Sequence, residues 1–367
     1  MPPFGAAPDI GWEIPPFYCP FRARIHPKAD EMNRATEAWL DEFSVHNDAV
    51  GRAWTLAAAT DQYIAWCNPD GDYDRTLLLA QLMALAGVAD DDPLDGHTTL
   101  LTARAVQFSA RATQLMRTPD SFIPGSHRLT EALRDIAFRG RDLLEPRELH
   151  NVTDTMGDWI NGEAWFTSHT ECGTFPSLEE WCAFAPRHQG ARFCFAIGEA
   201  TSRSYLEPQH RCEPAVQAYT DAAGFVAKIN NDFFSYAKGD HLQPQEPSII
   251  NVLAREHGIS SAEAAVEAQA LRDRAMHVFI RLYEQLGESA VPQIRQYAKV
   301  GRDFVTGDFA WHIENPRYAS PPNRTPLPIA DARFDVTWTD RPSDPALDAP
   351  DISAIAWWWE LLDNTAE

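Results

Sequence analysis

Residues 213–240 read E-P-A-V-Q-A-Y-T-D-A-A-G-F-V-A-K-I-N-N-D-F-F-S-Y-A-K-G-D, and their periodicity decides the fold. Placed about 100° apart, as on a helix, Val216, Tyr219, Ala223 and Val226 form one apolar stripe. A neighbouring stripe holds Thr220, Gly224, Ala227, Asn231, Ser235 and Lys238. The segment therefore reads as a long helix with one buried side and a polar cluster at its end. Asn231 and Ser235, four apart, share a face, and Lys238 joins them. An amide oxygen, a hydroxyl oxygen and an ammonium suit a hard divalent cation that bridges protein to phosphate. Small residues just below the cluster would leave room for a ligand. The blander reading, a polar end of an ordinary helix, stays open on this segment alone.

The same periodicity runs through the rest of the chain, and strand-like alternation is scarce. It places helices over 29–46, 49–67, 73–91, 97–116, 127–144, 149–170, 177–185, 190–204, 213–238, 248–256, 261–287 and 291–312. Residues 74–92 are apolar almost all round, so that helix should be buried at the centre. Ser261, ahead of Glu263 and Glu267, reads as a helix cap. A Pro-rich stretch over 1–28 reads as an extended arm, 29–319 as the functional domain. Residues 320–367 read as a Pro- and Asp-rich arm with a short helix around Trp357, Trp358 and Trp359. That helix either docks on the body or lies as a lid over a pocket.

With 367 residues, 44% of them hydrophobic, the chain can bury a large core. A net charge of −22 argues against nucleic acid and anionic membrane surfaces as partners. An anionic substrate must then be received by metal ions and a few placed cations. The six cysteines form no C-x-x-C pair and read as free thiols in a reducing compartment. No signal-peptide pattern opens the chain, and its longest apolar run, Leu77 to Ala89, is too short to span a bilayer. The expectation is a cytoplasmic protein without membrane insertion.

A second oxygen-rich site stands at Asp91, Asp92 and Asp95. On a continued helix Asp91 and Asp95 point the same way, which is unfavourable unless a cation lies between them. A solvated acidic helix end is the alternative. Arg187 follows Pro186 at a break between helices, where a guanidinium can grip phosphate oxygens with two parallel bonds. Arg317 and Tyr318, after Trp311, add a cation and a phenolic donor. No nucleophile–His–Asp order, Gly-rich phosphate loop or H-E-x-x-H spacing occurs.

Taken in order, these residues resemble the bacterial class I terpene synthases, from F-Y-C-P-F at 17–21 to W-H-I-E-N-P-R-Y at 311–318. The family's D-D-x-x-D motif corresponds to Asp91, Asp92 and Asp95. Its N-D-x-x-S-x-x-x-E motif corresponds to Asn231, Asp232 and Ser235. Its diphosphate-sensing arginine matches Arg187, and its R-Y pair matches Arg317 and Tyr318. Two positions depart from the pattern. Residue 239 is glycine where the family is acidic, and Asp240, next along, would reach a metal only if the helix unwinds at Gly239. Ala191 stands where the family usually has glycine.

The resemblance implies an all-α helical bundle around a central cavity, three Mg²⁺ ions and an isoprenyl diphosphate substrate. Metal ligands would be Asp91, Asp92, Asp95, Asn231, Ser235 and Asp240. Arg187, Lys238, Arg317 and Tyr318 would hold the diphosphate, with Ala191 and Trp311 also touching substrate. Asp91, Arg187, Asn231, Ser235, Arg317 and Tyr318 form the expected catalytic set. Farnesyl diphosphate is the default substrate and geranylgeranyl diphosphate the runner-up, since Gly87 and Ala89 would deepen the cavity. A chain-elongating transferase and a non-catalytic isoprenoid-binding protein are the rival readings. Monomer and homodimer are both open.

Overall fold

The computed structural model describes residues 12–46, 48–89, 101–123, 129–238, 246–320, 327–329, 332–336 and 338–362. Over them the chain is all-α. The first eight helices are α1 (Ala29–Glu42), α2 (Ala49–Ala58), α3 (Thr60–Cys67), α4 (Tyr73–Ala89), α5 (Leu101–Arg117), α6 (Thr130–Leu143), α7 (Pro146–Cys172) and α8 (Leu178–His188). There follow α9 (Ala191–Thr201), α10 (Pro208–Arg211), α11 (Pro214–Lys238), α12 (Ile249–His257), α13 (Ser261–Gly287), α14 (Pro292–Glu314), α15 (Pro316–Ala319) and α16 (Ser353–Ala356). Among the described residues no helix is long and apolar enough to cross a membrane, and all six cysteines are unbridged.

Burial explains the arrangement. α4 is central as its composition requires, with Leu78, Leu79, Leu82, Leu85 and Val88 buried. α11 is buried more completely than its single apolar stripe suggests. Phe233 and Phe234 continue that stripe, and Phe225 and Ile229, outside it, are also fully covered. α8, α9, α13 and α14 all pack on it, so α11 is the axis around which the site is built.

Three local expectations are corrected. The single helix over 49–67 is two, because Ala59 takes a left-handed φ of 43°. Its carbonyl and that of Ala58 are drawn off by Trp311 Nε1 (3.0 Å) and Asn315 Nδ2 (2.8 Å). The Asn315 amide satisfies the Ala58 acceptor that the broken helix leaves open, while the Ala59 carbonyl also receives Gln62 N–H at 2.9 Å from the first turn of α3. The cap of α13 is Ser260, one residue before the expected Ser261. Its hydroxyl accepts from Glu263 N–H while the Glu263 carboxylate returns to Ser260 N–H. The described parts of the arms, finally, contribute to the core. Phe17 in strand β1 (Phe17–Tyr18) is fully buried and pairs in parallel with Trp338 of β2 (Trp338–Thr339). Its ring meets Phe309 at 4.5 Å and Phe234 at 5.8 Å, and the Arg272 guanidinium lies over it.

The Trp-rich end docks. Trp358 is buried against Phe225 of α11, whose ring also meets Trp181 of α8. The Glu179 carboxylate accepts from the Ser353 and Ala354 N–H groups at 2.8 and 2.9 Å, which holds the start of α16.

Candidate active site

The last turns of α11 bring Asn231 and Ser235 together, with Ser235 Oγ donating to Asn231 Oδ1 at 3.5 Å. The other end of the amide is committed twice. Asn231 Nδ2 lies 3.2 Å from His312 Nε2 and 3.2 Å from the Tyr318 hydroxyl. His312 Nδ1 is 2.7 Å from the Asp308 main-chain carbonyl and must carry the hydrogen, so Nε2 presents a lone pair. Complete burial pushes the His312 pKa down to about 3, and the ring is neutral. Its contact with the Asp308 carboxyl, at 3.7 Å, is therefore not an ion pair; the bond to the carbonyl sets the ring.

Tyr318 sits on α15, which Asn315 caps by accepting from Arg317 N–H at 2.9 Å. The Tyr318 oxygen accepts one of the Asn231 amide hydrogens. Trp311 contacts Tyr318 edge-on at 5.7 Å and Tyr63 at 5.1 Å. Its bond to Ala59 fixes the plane of the indole.

Asp232 takes no part in this cluster. It is buried, paired with Lys228, and accepts from Ile249 N–H at 2.6 Å, so it ties α11 to α12.

Arg187 and Ala191 flank a second feature, the break between α8 and α9. Gly190 makes that break with φ 69°, and a Cβ there would fall 2.9 Å from Trp159 Cδ1. Arg187 Nε pairs with Asp158 Oδ1 at 2.9 Å. Gly162 allows α7 to lie against the Arg187–His188 backbone, where an added Cβ would meet His188 N at 2.8 Å. On the other side Gly224 of α11 receives the break: a Cβ on it would lie 2.5 Å from Ala191 Cβ and 3.0 Å from Pro186 Cα. The space below the polar cluster at Gly224 is thus filled by protein rather than left for a ligand. The methyl of Ala191 fits because residue 224 has none. Gly224 and Asn231, seven residues apart, stand about 10 Å apart along one helix.

Asp308 joins the two features from beneath. Its carboxyl receives Gln189 Nε2 (3.2 Å), Tyr63 OH (3.4 Å) and Asn230 Nδ2 (3.4 Å). Burial pushes its pKa up to about 8 despite these bonds, so it is largely protonated at neutral pH.

Asp91, Asp92, Asp95 and Asp240 lie outside the described residues, as does the side chain of Lys238. Among the described residues, no group of three or more His, Cys, Asp or Glu side chains could hold a metal. The donors in place are Asn231 Oδ1 and Ser235 Oγ, hard neutral oxygens side by side, which fit a divalent ion of the Mg²⁺ type. Gly87 does not deepen a cavity: a Cβ on it would fall 2.8 Å from Thr60 Oγ1, so it serves the contact of α4 with α3. His312, Asp308, Gln189 and Asp158 escaped sequence reasoning. His312 adjoins Trp311 in a motif already singled out, but only its partner across 81 residues gives it meaning.

The family described as terpene synthase family 2, C-terminal metal binding, matches residues 81–277. Spiroviolene synthase of Streptomyces violens is 27% identical over 357 residues, covering 95% of this chain and 97% of that one. A diterpene cyclase of a Streptomyces species is 23% identical, covering 98% and 99%. The 4-epi-cubebol synthase of Streptosporangium roseum, which cyclises (2E,6E)-farnesyl diphosphate, is 22% identical, covering 84% and 93%. Among crystal structures, the SVS_A2 protein from ancestral sequence reconstruction superposes with a TM-score of 0.79 at 27% identity, covering 95% and 99%.

Proposed function

The chain belongs to the terpene synthases, lyases that act on prenyl diphosphates, and from that premise we propose that it converts farnesyl diphosphate to a cyclic sesquiterpene hydrocarbon or alcohol. The observation that carries this reading is the Asn231 amide, both hydrogens held and its oxygen beside Ser235 Oγ.

In this reading the catalytic body spans 29–319, and Mg²⁺, three ions in all, would be held by Asn231 and Ser235 together with Asp91, Asp92, Asp95 and Asp240. The ions would neutralise charge on the leaving diphosphate. Arg187, Lys238, Arg317 and Tyr318 grip its oxygens. These groups favour departure because they are in place before negative charge develops. Trp311, held flat by its bond to Ala59, offers a π face to the allylic cation. Ala191 touches the substrate at the start of α9. The apolar walls exclude water until a proton is lost or a single water adds. The named relatives act on both chain lengths; the farnesyl-cyclising one is the basis for the shorter substrate.

The test is incubation of purified protein with farnesyl or geranylgeranyl diphosphate, with and without Mg²⁺, and mass spectrometry of the extracts. A Mg²⁺-dependent sesquiterpene upholds the proposal. Turnover of the twenty-carbon substrate alone replaces the substrate assignment. Binding of either substrate with no diphosphate released removes the catalytic reading.

A further inference from the structure

An asparagine that ligates a cation must present oxygen and not nitrogen, and an amide is nearly symmetric in shape. Something has to choose the orientation. In this protein the choice is made by neighbours from another helix. His312, on α14, is fully covered and cannot turn freely: its ring stacks on Phe234 at 5.2 Å, with planes 17° apart, and lies 4.9 Å from the Tyr318 ring. Its Nδ1–H is taken by the Asp308 carbonyl. The Nε2 lone pair therefore points at Asn231 as a fixed acceptor, 3.2 Å away. A flipped amide would set oxygen against that lone pair and turn NH₂ towards Ser235, where a cation would meet hydrogens instead of oxygen. Tyr318 alone would not enforce the choice, since a hydroxyl can rotate to donate or accept.

We propose that His312 is a positioning residue: through its Nε2 acceptor it locks Asn231 with Oδ1 turned to the ion-binding side, beside Ser235. His312 itself touches neither ion nor substrate in this arrangement. The proposal rests on the reading of Asn231 and Ser235 as ligands. It also accounts for an asparagine rather than an aspartate at 231, because a carboxylate has no hydrogen to give the imidazole.

The experiment reads metal binding rather than turnover. Mn²⁺ serves as the spin probe, titrated into the full chain with inorganic diphosphate and followed by electron paramagnetic resonance. Three variants accompany the wild type. H312F keeps a flat ring against Phe234 but removes the acceptor. H312Q carries a side-chain oxygen that reaches the place of Nε2. N231A removes the ligand. We expect H312F to weaken Mn²⁺ binding at least tenfold and H312Q to recover most of that loss, with melting temperatures of the two alike. Recovery by glutamine is the outcome that a merely structural histidine would not give. If H312F does not accumulate as folded protein, H312M, flexible and equally without an acceptor of that strength, takes its place. Unchanged Mn²⁺ affinity in H312F, or equal weakness in H312F and H312Q, overturns the proposal while loss of binding in N231A leaves the ligand reading standing. Wild-type binding in N231A overturns both.

Discussion

Arg187 Nε stands 2.9 Å from Asp158 Oδ1, an ion pair whose side chains keep 45% and 29% of their surface exposed. Water screens such a pair, and it stabilises the fold by no more than about 1 kcal/mol. Arg187 is thus held by a partner that releases it at little cost. If Asp158 competes with diphosphate for the guanidinium, D158N should tighten inorganic diphosphate binding a few-fold and barely alter the melting temperature. R187A should weaken diphosphate binding at least tenfold. Calorimetric titration with diphosphate and Mg²⁺ decides; weaker binding by D158N would mean that Asp158 aims Arg187 instead of competing for it.

The contact between Gly224 and Ala191 predicts a compensating pair. G224A forces a methyl to within 2.5 Å of Ala191 Cβ, and overpacking of this kind costs typically about 1–3 kcal/mol. The strain falls on the start of α9, so turnover should drop more than stability. A191G removes the opposing methyl, and the double variant should regain much of both. Pro186 Cα, 3.0 Å from the same added carbon, limits the recovery. A double-mutant cycle on melting temperature and kcat measures the coupling; strict additivity would show that the two residues do not meet.

The helices were legible because burial imposes a period on sequence. α4 is apolar all round, and α11 aligns Asn231 and Ser235 over a small-residue stripe. What escaped was imposed from far along the chain. Nothing in A-A-A-T over 57–60 signals a left-handed residue; the bonds from Trp311 and Asn315 hold it there. Two-residue strands carry no alternation, so the pairing of Phe17 with Trp338 left no trace. Ser260 and Ser261 are equally good caps in isolation, and the reach of Glu263 settles the register. At the candidate site, spacing along one helix put Asn231 and Ser235 on one face, and Pro186 marked the segment of Arg187. Relations between helices, such as Asn231 with His312, have no spacing to read.

Two buried groups on α14 give stability a pH dependence of opposite signs. The folded-state pKa of Asp308 is raised to about 8, so the native protein holds a proton that the unfolded chain releases near pH 4. Its contribution is complete below about pH 4 and is lost as pH rises to 8. His312, lowered to about 3, contributes above about pH 6.5 and loses that contribution as pH falls towards 3. D308N keeps a neutral, hydrogen-bonding side chain but cannot ionise. The stability of D308N relative to wild type should therefore rise between pH 5 and 8, by at most about 1.4 kcal/mol per pH unit. Urea denaturation at each pH measures the difference, in which other titrations cancel; a constant difference would show that Asp308 is already ionised in the native state.

The docked Trp-rich end separates a brace from a lid. Trp358 is 2% exposed and meets Phe225 at 5.6 Å with rings near perpendicular, and its indole N–H has no hydrogen-bond partner among the described residues. Removing so large a buried side chain costs roughly 3–5 kcal/mol, so W358A should lower the melting temperature markedly. W358F keeps the edge-to-face contact and deletes only the unpartnered N–H and part of the ring, so its loss should be smaller. E179Q weakens the hold on the Ser353 and Ala354 N–H groups while leaving an acceptor, and should cost under about 1 kcal/mol. As a brace, Trp358 acts on α8 and α11 alike and leaves the order of chemical steps alone. Product ratios from W358F, at a temperature where it is fully folded, should match those of wild type. A changed ratio, or more water-quenched alcohol at unchanged stability, would show that this end closes over the reacting chain.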